Sequence, residues 1–212
     1  MLHWPDCRNV RDVGGLPTTD GGRIREGALV RADDLAHLTD EGLAACRAAG
    51  VSRVIDLRGS VEIAELPGPF ADDPAYRWLP LIDEEAERLR DLAAETTTLA
   101  TYCGSVGRNA RNIVAGLRAV VDAPPGTVVV HCSAGRDRTG MLVGFALTVA
   151  GVAAQHVAAD YAASTSVDAC EPETMLGLLE YVTDRYGGVA PYLIRHGMPA
   201  AEVGALRNRL RR

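Results

Sequence analysis

A short polar run in this chain holds the residues best suited to chemistry, because Cys132 and Arg138 stand there with five residues between them. Three valines precede the run at residues 128–130, and an apolar stretch of helical length follows from Met141. This order predicts a strand, a loop and a helix. The loop amides and the first turn of such a helix have no intrahelical partners, so together they can form an anion-binding cradle. Gly135 can adopt the positive φ angle that brings the backbone close to a ligand.

The two residues at the ends of the run predict nucleophilic chemistry on phosphate. A thiol at a helix N-terminus beside a guanidinium favours the thiolate, which is the nucleophilic form of Cys132. Arg138 offers planar donors that match two phosphate oxygens and can follow them into the transition state. The hydroxyl of Thr139 can hydrogen-bond the sulfur as it departs from a phosphocysteine. This chemistry uses no cofactor, and the five cysteines show no metal-ligand spacing, so we expect no metal.

Residues 131–140 have the sequence HCSAGRDRTG, which resembles the HC-x-x-GKDRTG loop of a microbial branch of the protein tyrosine phosphatase superfamily. The superfamily signature is C-x5-R, and the branch contains tyrosine, dual-specificity and phosphoinositide phosphatases. Other parts of the chain are similar to landmarks of the same family, namely residues 9–15, residues 54–58, Tyr192, Leu193 and Gly197. The resemblance implies an α/β fold with a central, mostly parallel sheet flanked by helices. It also implies a mainly helical C-terminal part and a single phosphatase domain over residues 1–212.

The resemblance further implies roles for the loop residues. Cys132 is expected to attack phosphorus and Arg138 to bind the phosphate oxygens. Asp137 is expected to be the general acid, because the branch carries its acid inside the loop. His131 is expected to support the loop geometry and the thiol rather than to transfer protons. The residues expected to bind substrate are Ser133, Ala134, Gly135, Arg136, Thr139 and Asp56. Arg136 stands where the branch usually has Lys, so it keeps the charge and adds a planar geometry.

Two of these carboxylates have alternatives. Asp83 follows a strand predicted over residues 76–79, where dual-specificity phosphatases carry their acid, so it is the rival of Asp137. The same Asp83 is equally suited to cap the next helix. Asp56 lies near the end of a strand predicted over residues 53–57, where it either lines the site or caps a loop.

Hydrophobic periodicity and capping signals predict the elements around the loop. The predicted strands cover residues 28–32, 53–57 and 76–79, and the predicted helices cover residues 40–49, 108–121, 141–150, 153–163, 173–186 and 200–210. Residues 84–103 are rich in Glu, Arg, Leu and Ala but are interrupted by three threonines at residues 96–98. This stretch is interpreted either as a small helical lid over the site or as an ordinary amphipathic helix packed on the sheet.

Composition narrows the classes of function. A net charge of −6 and a pI near 5.4 argue against a protein that binds nucleic acid through a broad basic face. No apolar run reaches the ~18 to 20 residues of a membrane span, so we expect no integral membrane segment and a cytoplasmic protein. A chain of 212 residues with 47% hydrophobic residues can bury the core of one α/β domain.

The sequence therefore predicts a cysteine-dependent phosphatase that hydrolyses phosphomonoesters through a phosphocysteine intermediate. Phosphotyrosine in proteins is the first expected substrate, followed by phosphoserine or phosphothreonine and by phosphoinositides. Two alternatives stay open. One is an interaction module that binds phosphate with little or no turnover, and the other is a rhodanese-like sulfurtransferase, which also places a cysteine on a cradle loop.

Overall fold

The computed structural model describes residues 2–164 and 170–211. Its central sheet is built from Arg11–Asp12 (β1), Leu29–Ala32 (β2), Val51–Asp56 (β3), Tyr76–Trp78 (β4) and Thr127–His131 (β5). The strands lie in the order β1-β2-β5-β3-β4, with β1 antiparallel to β2 and every other pair parallel. The predicted α/β fold with a mostly parallel central sheet is confirmed.

The helices of the described chain flank this sheet. They are Asp40–Ala48 (α1), Ser60–Glu65 (α2), Glu84–Glu87 (α3), Thr98–Arg108 (α4), Ala110–Val121 (α5), Asp137–Val149 (α6), Ala154–Ala162 (α7), Pro172–Tyr186 (α8), Val189–Arg195 (α9) and Ala200–Leu210 (α10). A 3-10 turn, Leu35–His37, follows β2. Beyond β5 the described chain is mainly helical, as predicted. None of the described helices is both long and apolar enough to cross a lipid bilayer.

The valines of β5 explain why the sheet is covered on both faces. Val128 and Val130 belong to a large hydrophobic core, whereas Val129 belongs to a smaller one. Successive side chains of a strand point to opposite faces, so the two cores lie on opposite sides of the sheet. A parallel strand buried on both faces is a continuous apolar run, which is the pattern seen in this strand. The carboxyl end of β5 therefore opens between two packed layers, where parallel sheets present ligand-binding groups.

Two predicted helices begin more than one residue away from the expected position. The helix predicted over residues 108–121 begins at Ala110, because the buried side chain of Asn109 interrupts it. That side chain accepts a hydrogen bond from the backbone N–H of Asp83 (2.7 Å) and donates one to the hydroxyl of Ser105 (2.9 Å). The helix predicted from residue 141 begins at Asp137, so the end of the polar run forms its first turn.

Residues 84–103 do not form the single amphipathic helix that was one of the two interpretations. After the four residues of α3 the chain is irregular until α4 begins. Glu95 ties this segment down through an ion pair with Arg90 (2.8 Å) and a second one with Arg108. Leu89 and Leu92 project into solvent, with 84% and 71% exposure. The helical lid stays a prediction.

Candidate active site

The polar run carries the chain from β5 into α6. Cys132 directly follows the last residue of β5 and is 2% exposed. Asp137, Arg138 and Thr139 form the first turn of α6. The N–H groups of a first helical turn lack intrahelical acceptors and form the positive end of the helix dipole. The thiol therefore lies close to the electropositive start of a buried helix, as the strand, loop and helix prediction requires.

The carbonyls of three consecutive loop residues accept hydrogen bonds from outside the loop. The backbone N–H of Asp34 donates to the carbonyl of Ser133 (2.9 Å), and the side chain of Asn9 donates to the carbonyl of Ala134 (3.0 Å). The guanidinium of Arg31 donates to the carbonyl of Gly135 (2.8 Å). In a trans peptide the carbonyl and the following N–H point in opposite directions. The N–H groups of residues 134–136 therefore face the inside of the loop, where they form an anion-binding cradle together with the helix N-terminus.

Two glycines of the run permit close packing around this cradle. Gly135 has a φ of +67°, and a Cβ there would lie 2.4 Å from the carbonyl oxygen of Ala32 at the end of β2. A Cβ on Gly140 would lie 2.8 Å from the ring of Tyr161 in α7. Both contacts are too close for a side chain, so the loop geometry depends on glycine at each position.

Arg138 is held by a carboxylate that sequence analysis did not identify. Its two terminal nitrogens each donate to one oxygen of Glu62 in α2, at 2.5 and 2.8 Å, and Glu62 also accepts from the backbone N–H of Gly59 at 2.7 Å. Burial opposes the charge of Arg138, but the hydrogen bonds to Glu62 and the charge of the nearby Cys132 outweigh it and raise the guanidinium pKa above its usual value. This bidentate pair orients the guanidinium plane. Among the described residues, its other N–H groups have no hydrogen-bond acceptor, so they can bind a ligand.

Asp137 combines an accessible carboxylate with defined hydrogen-bond partners. Its side chain is 37% exposed, and Nε of Arg136 lies 3.2 and 3.0 Å from its two oxygens. The hydroxyl of Tyr102 in α4 donates to Oδ1 of Asp137 and lies 3.0 Å from the hydroxyl of Tyr161. The carboxylate is therefore oriented by two side chains, the partly exposed Arg136 beside it in the chain and the buried Tyr102 of α4.

Two arginines converge on Asp160 behind the loop. Nη1 of Arg31 lies 2.5 Å from one carboxylate oxygen, Nε of Arg11 lies 2.8 Å from the other, and both guanidiniums donate to the hydroxyl of Ser164. Burial would raise the pKa of Asp160, but the charges of Arg31 and Arg11 outweigh it and hold that pKa below its usual value. Arg31 also donates to the carbonyl of Gly135. The ionised Asp160 therefore orients the arginine that supports the loop at this residue.

Asp56 lies inside the sheet, and its predicted place in the substrate site stays a prediction. It is fully buried, and its carboxylate accepts hydrogen bonds from Nη2 of Arg58 (2.7 Å) and from the hydroxyl of Tyr76 (3.0 Å). His131 lies 3.6 Å from the same carboxylate on the adjacent strand. Burial lowers the pKa of His131, so its ring is neutral at neutral pH. Asp56 therefore supports the strand ends from within the sheet, because Arg58 holds its carboxylate there.

The remaining predicted site residues lie in different surroundings. Ser133 is exposed and Ala134 is half-buried on the loop. Thr139 is fully buried, and its hydroxyl has no hydrogen-bond partner within the part of the chain that the structure describes, so its bond to sulfur stays a prediction. Asp83 is exposed outside the loop, where its carboxylate accepts from two backbone N–H groups of α3 at 3.0 and 3.1 Å. Asp83 therefore caps α3, and its alternative role as the general acid stays a prediction.

Sequence reasoning missed Glu62 and Tyr102 as parts of this site. Glu62 stands three residues after Gly59, which is the spacing of a capping box and marks a helix start. That signal is local, whereas Arg138 lies 76 positions further along the chain. Tyr102 lies inside an ordinary helical stretch, and no local pattern connects it with Asp137.

Among the described residues, no group of three His, Cys, Asp or Glu side chains is arranged to hold a metal ion.

Cysteine-dependent phosphatases bind and attack a phosphoryl group with three features. These are a thiol just after the end of a strand, a cradle of inward-facing N–H groups, and an arginine that completes the cradle. The fold and the loop place the chain in that class. The sequence also matches the profile of the tyrosine phosphatase family over residues 2–212, and the chain belongs to that family. The predicted superfamily and the predicted class of enzyme are confirmed.

Two relatives show how far the similarity extends. The triple specificity protein phosphatase PtpB of Mycobacterium tuberculosis is 29% identical over 212 residues, which cover 86% of this chain and 74% of that protein. A tyrosine-protein phosphatase of Nostoc commune is 31% identical over 153 residues, which cover 70% of this chain and 52% of that protein. The similarity therefore spans most of this chain in both cases.

Proposed function

We propose that this protein hydrolyses phosphotyrosine in other proteins, with Cys132 as the nucleophile. One observation carries the proposal. The carbonyls of residues 133–135 are all held from outside the loop, so the N–H groups of residues 134–136 face inward beside the thiol. Such a cradle binds a phosphoryl group and stabilises the charge of its transition state.

The proposed reaction has two steps. In the first, Sγ of Cys132 attacks phosphorus, a P–S bond forms, the ester P–O bond breaks, and the leaving oxygen takes a proton from Asp137. Arg138 and the loop N–H groups bind the three nonbridging oxygens. In the second, water gives a proton to Asp137 while its oxygen attacks phosphorus, so the P–S bond breaks and inorganic phosphate leaves. The thiolate and the protonated acid are restored.

Two observations favour Asp137 over Asp83 as the general acid. Asp137 lies next to Arg138 with a partly exposed carboxylate, whereas Asp83 lies outside the loop and caps α3. The acid's replacement by Asn should slow an ester with a basic leaving group far more than an activated ester. If Asp83→Asn has this effect and Asp137→Asn does not, the acid is Asp83.

The first experiment measures phosphate release from a chromogenic ester by the wild-type protein and by Cys132→Ser. We expect the variant to lose turnover by about 10³-fold or more, and rapid acid quenching of the wild type to trap a phosphocysteine. Phosphate binding without turnover would instead indicate an interaction module. Thiocyanate formation from thiosulfate and cyanide, without phosphate release, would indicate a sulfurtransferase.

The substrate class is a separate part of the proposal. The relative from Mycobacterium tuberculosis is named a triple specificity protein phosphatase, so peptides carrying phosphotyrosine, phosphoserine and phosphothreonine should be compared with phosphoinositides. We expect the highest kcat/KM on phosphotyrosine peptides. A higher kcat/KM on phosphoinositides would identify a lipid headgroup as the substrate instead.

The cytoplasmic location also stays a prediction.

A further inference from the structure

A buried hydroxyl outside the polar run touches the carboxylate of Asp137. Tyr102 lies in α4, is 5% exposed, and donates its hydroxyl hydrogen to Oδ1 of Asp137. Its oxygen lies 3.0 Å from the hydroxyl of Tyr161 in α7, which is also buried. The hydroxyls of Tyr161 and Tyr102 therefore form a hydrogen-bonded chain that ends at Oδ1 of Asp137, beside the cradle.

The direction of these hydrogen bonds follows from the chemistry of the groups. Burial, followed by the negative charge of Asp137, raises the pKa of Tyr102 far above its usual value, so the phenol stays protonated. An ionised carboxylate can only accept hydrogen bonds. Tyr102 is therefore the donor to Asp137, and its oxygen is left to accept from Tyr161.

We propose that Tyr102 is a positioning residue that confines the transferable proton of Asp137 to Oδ2. The proposal rests on the function proposed above, with Asp137 as the general acid. Because Oδ1 accepts the hydrogen of Tyr102, Oδ1 is the carbonyl oxygen of the protonated acid and Oδ2 carries its proton. As the P–O bond breaks, that proton passes from Oδ2 to the leaving oxygen. Oδ2 then receives a proton from the attacking water, and Tyr102 keeps its own proton throughout.

Arg136 cannot make the same distinction between the two oxygens. Its Nε lies 3.2 Å from Oδ1 and 3.0 Å from Oδ2, so it interacts with both. The ring of Tyr102 is instead fixed by packing, with an edge-to-face contact to Tyr161 at a centroid distance of 6.3 Å. Tyr161 in turn packs against Gly140 in the first turns of α6, close enough that a Cβ there would meet its ring at 2.8 Å. The orientation of the acid is thus determined by three packed helices.

The test compares Tyr102→Phe with the wild type on two phosphate esters. Phenyl phosphate has a leaving group about as basic as tyrosine, with a pKa of roughly 10, whereas 4-nitrophenyl phosphate has an activated leaving group that needs little protonation. We expect kcat/KM to fall about tenfold on phenyl phosphate and less than about twofold on the activated ester, because only the first reaction depends strongly on the acid. The ratio of the two values, measured on one preparation, does not depend on the fraction of folded enzyme.

A matched control separates proton positioning from the loss of a buried hydroxyl. Tyr192 is also buried, and its hydroxyl donates to the backbone carbonyl of Val106 at 2.7 Å. Tyr192→Phe removes a comparable hydrogen bond away from Asp137, so the ratio of the two kcat/KM values should equal that of the wild type. A ratio that changes in Tyr192→Phe as much as in Tyr102→Phe would overturn the proposal.

A double-mutant cycle tests whether Tyr102 acts through Asp137. Adding Tyr102→Phe to Asp137→Asn should leave the ratio of the two esters at the value of Asp137→Asn alone. Equal losses on both esters in Tyr102→Phe, or a further change of the ratio in the double variant, would overturn the inference. If Asp137→Asn itself leaves the ratio unchanged, the proposed acid and this inference both fail. If Cys132→Ser still releases phosphate, the proposed function fails independently of Tyr102.

Discussion

Replacing Glu62 with Gln should weaken catalysis by removing part of the support of Arg138. The carboxylate accepts from both terminal nitrogens of Arg138, at 2.5 and 2.8 Å, and from the N–H of Gly59 at 2.7 Å. An amide has one acceptor oxygen and no charge, so at least one bond to Arg138 is lost. A hydrogen bond to a charged group contributes about 1.5–3 kcal/mol when protected from water. The two side chains are 21% and 36% exposed, so solvent screening reduces the loss to about 1–1.5 kcal/mol. That loss corresponds to a decrease of roughly five- to thirteenfold in kcat/KM.

The assay measures kcat/KM of Glu62→Gln on phenyl phosphate and on 4-nitrophenyl phosphate. Both values should fall by the same factor, because Arg138 is proposed to bind the nonbridging oxygens and not the leaving group. The inhibition constant of inorganic phosphate should rise by a similar factor. Glu84→Gln is the matched control, since it removes the same charge near the start of α2, where Glu84 accepts from the hydroxyl of Ser60 at 2.6 Å. Its kcat/KM should stay within about twofold of the wild type.

Two results would refute this reasoning. Unchanged or tighter phosphate binding by Glu62→Gln would mean that Glu62 competes with phosphate for Arg138 instead of orienting it. A loss confined to phenyl phosphate would connect Glu62 with proton transfer to the leaving group. In either case the bidentate ion pair would no longer explain how the guanidinium is oriented.

Two further predictions concern the loop and the strand that leads into it. In Gly135→Ala, the Cβ would lie 2.4 Å from the carbonyl of Ala32, and a non-glycine residue at positive φ costs about 1–2 kcal/mol. We expect calorimetry to show more than about tenfold weaker phosphate binding, whereas Gly107→Ala, whose Cβ meets no atom within 4 Å, should leave phosphate binding unchanged. Burial lowers the pKa of His131 in the folded state, so as the pH falls the unfolded chain binds that proton first. The stability contributed by neutral His131 is therefore complete above pH ~6.5 and is lost below it by up to about 1.4 kcal/mol per pH unit, until the folded pKa is reached. Denaturant unfolding of wild type and His131→Asn between about pH 5 and 7.5 should show this difference in slope, and parallel curves would contradict it.

The reactive loop could be predicted because its determinants are local. Three valines, a polar run and an apolar stretch specify a strand, a loop and a helix through interactions between residues close in the chain. The spacing of Cys132 and Arg138 and the presence of Gly135 follow directly from the printed sequence. Individual strands and helices are likewise predictable, because periodicity and capping signals depend on near neighbours. The mostly parallel sheet was implied by the family resemblance of the loop and the other landmarks.

Local patterns were less informative where a distant side chain determines the outcome. Asn109 separates α4 from α5 because it binds the backbone of Asp83, 26 positions away, and no helix signal reports such a partner. Asp56 ends a strand in a position typical of ligand-binding groups, but Arg58 and Tyr76 hold its carboxylate inside the sheet. The partners of a strand-end carboxylate are thus decided by the packing of neighbouring strands.

The sequence by itself determined the strand, loop and helix that carry Cys132 and Arg138, because these depend on residue types at short spacing, and its motifs indicated the family and thereby the class of fold. Tertiary structure decided how the two ends of the loop are oriented. The strands β3 and β5 pair, and the helices that follow them, α2 and α6, bring Glu62 into contact with Arg138. The packing of α4 against the other helices brings Tyr102 to Asp137. Such pairs form only when segments far apart in the chain pack together, so their geometry is a property of the folded protein.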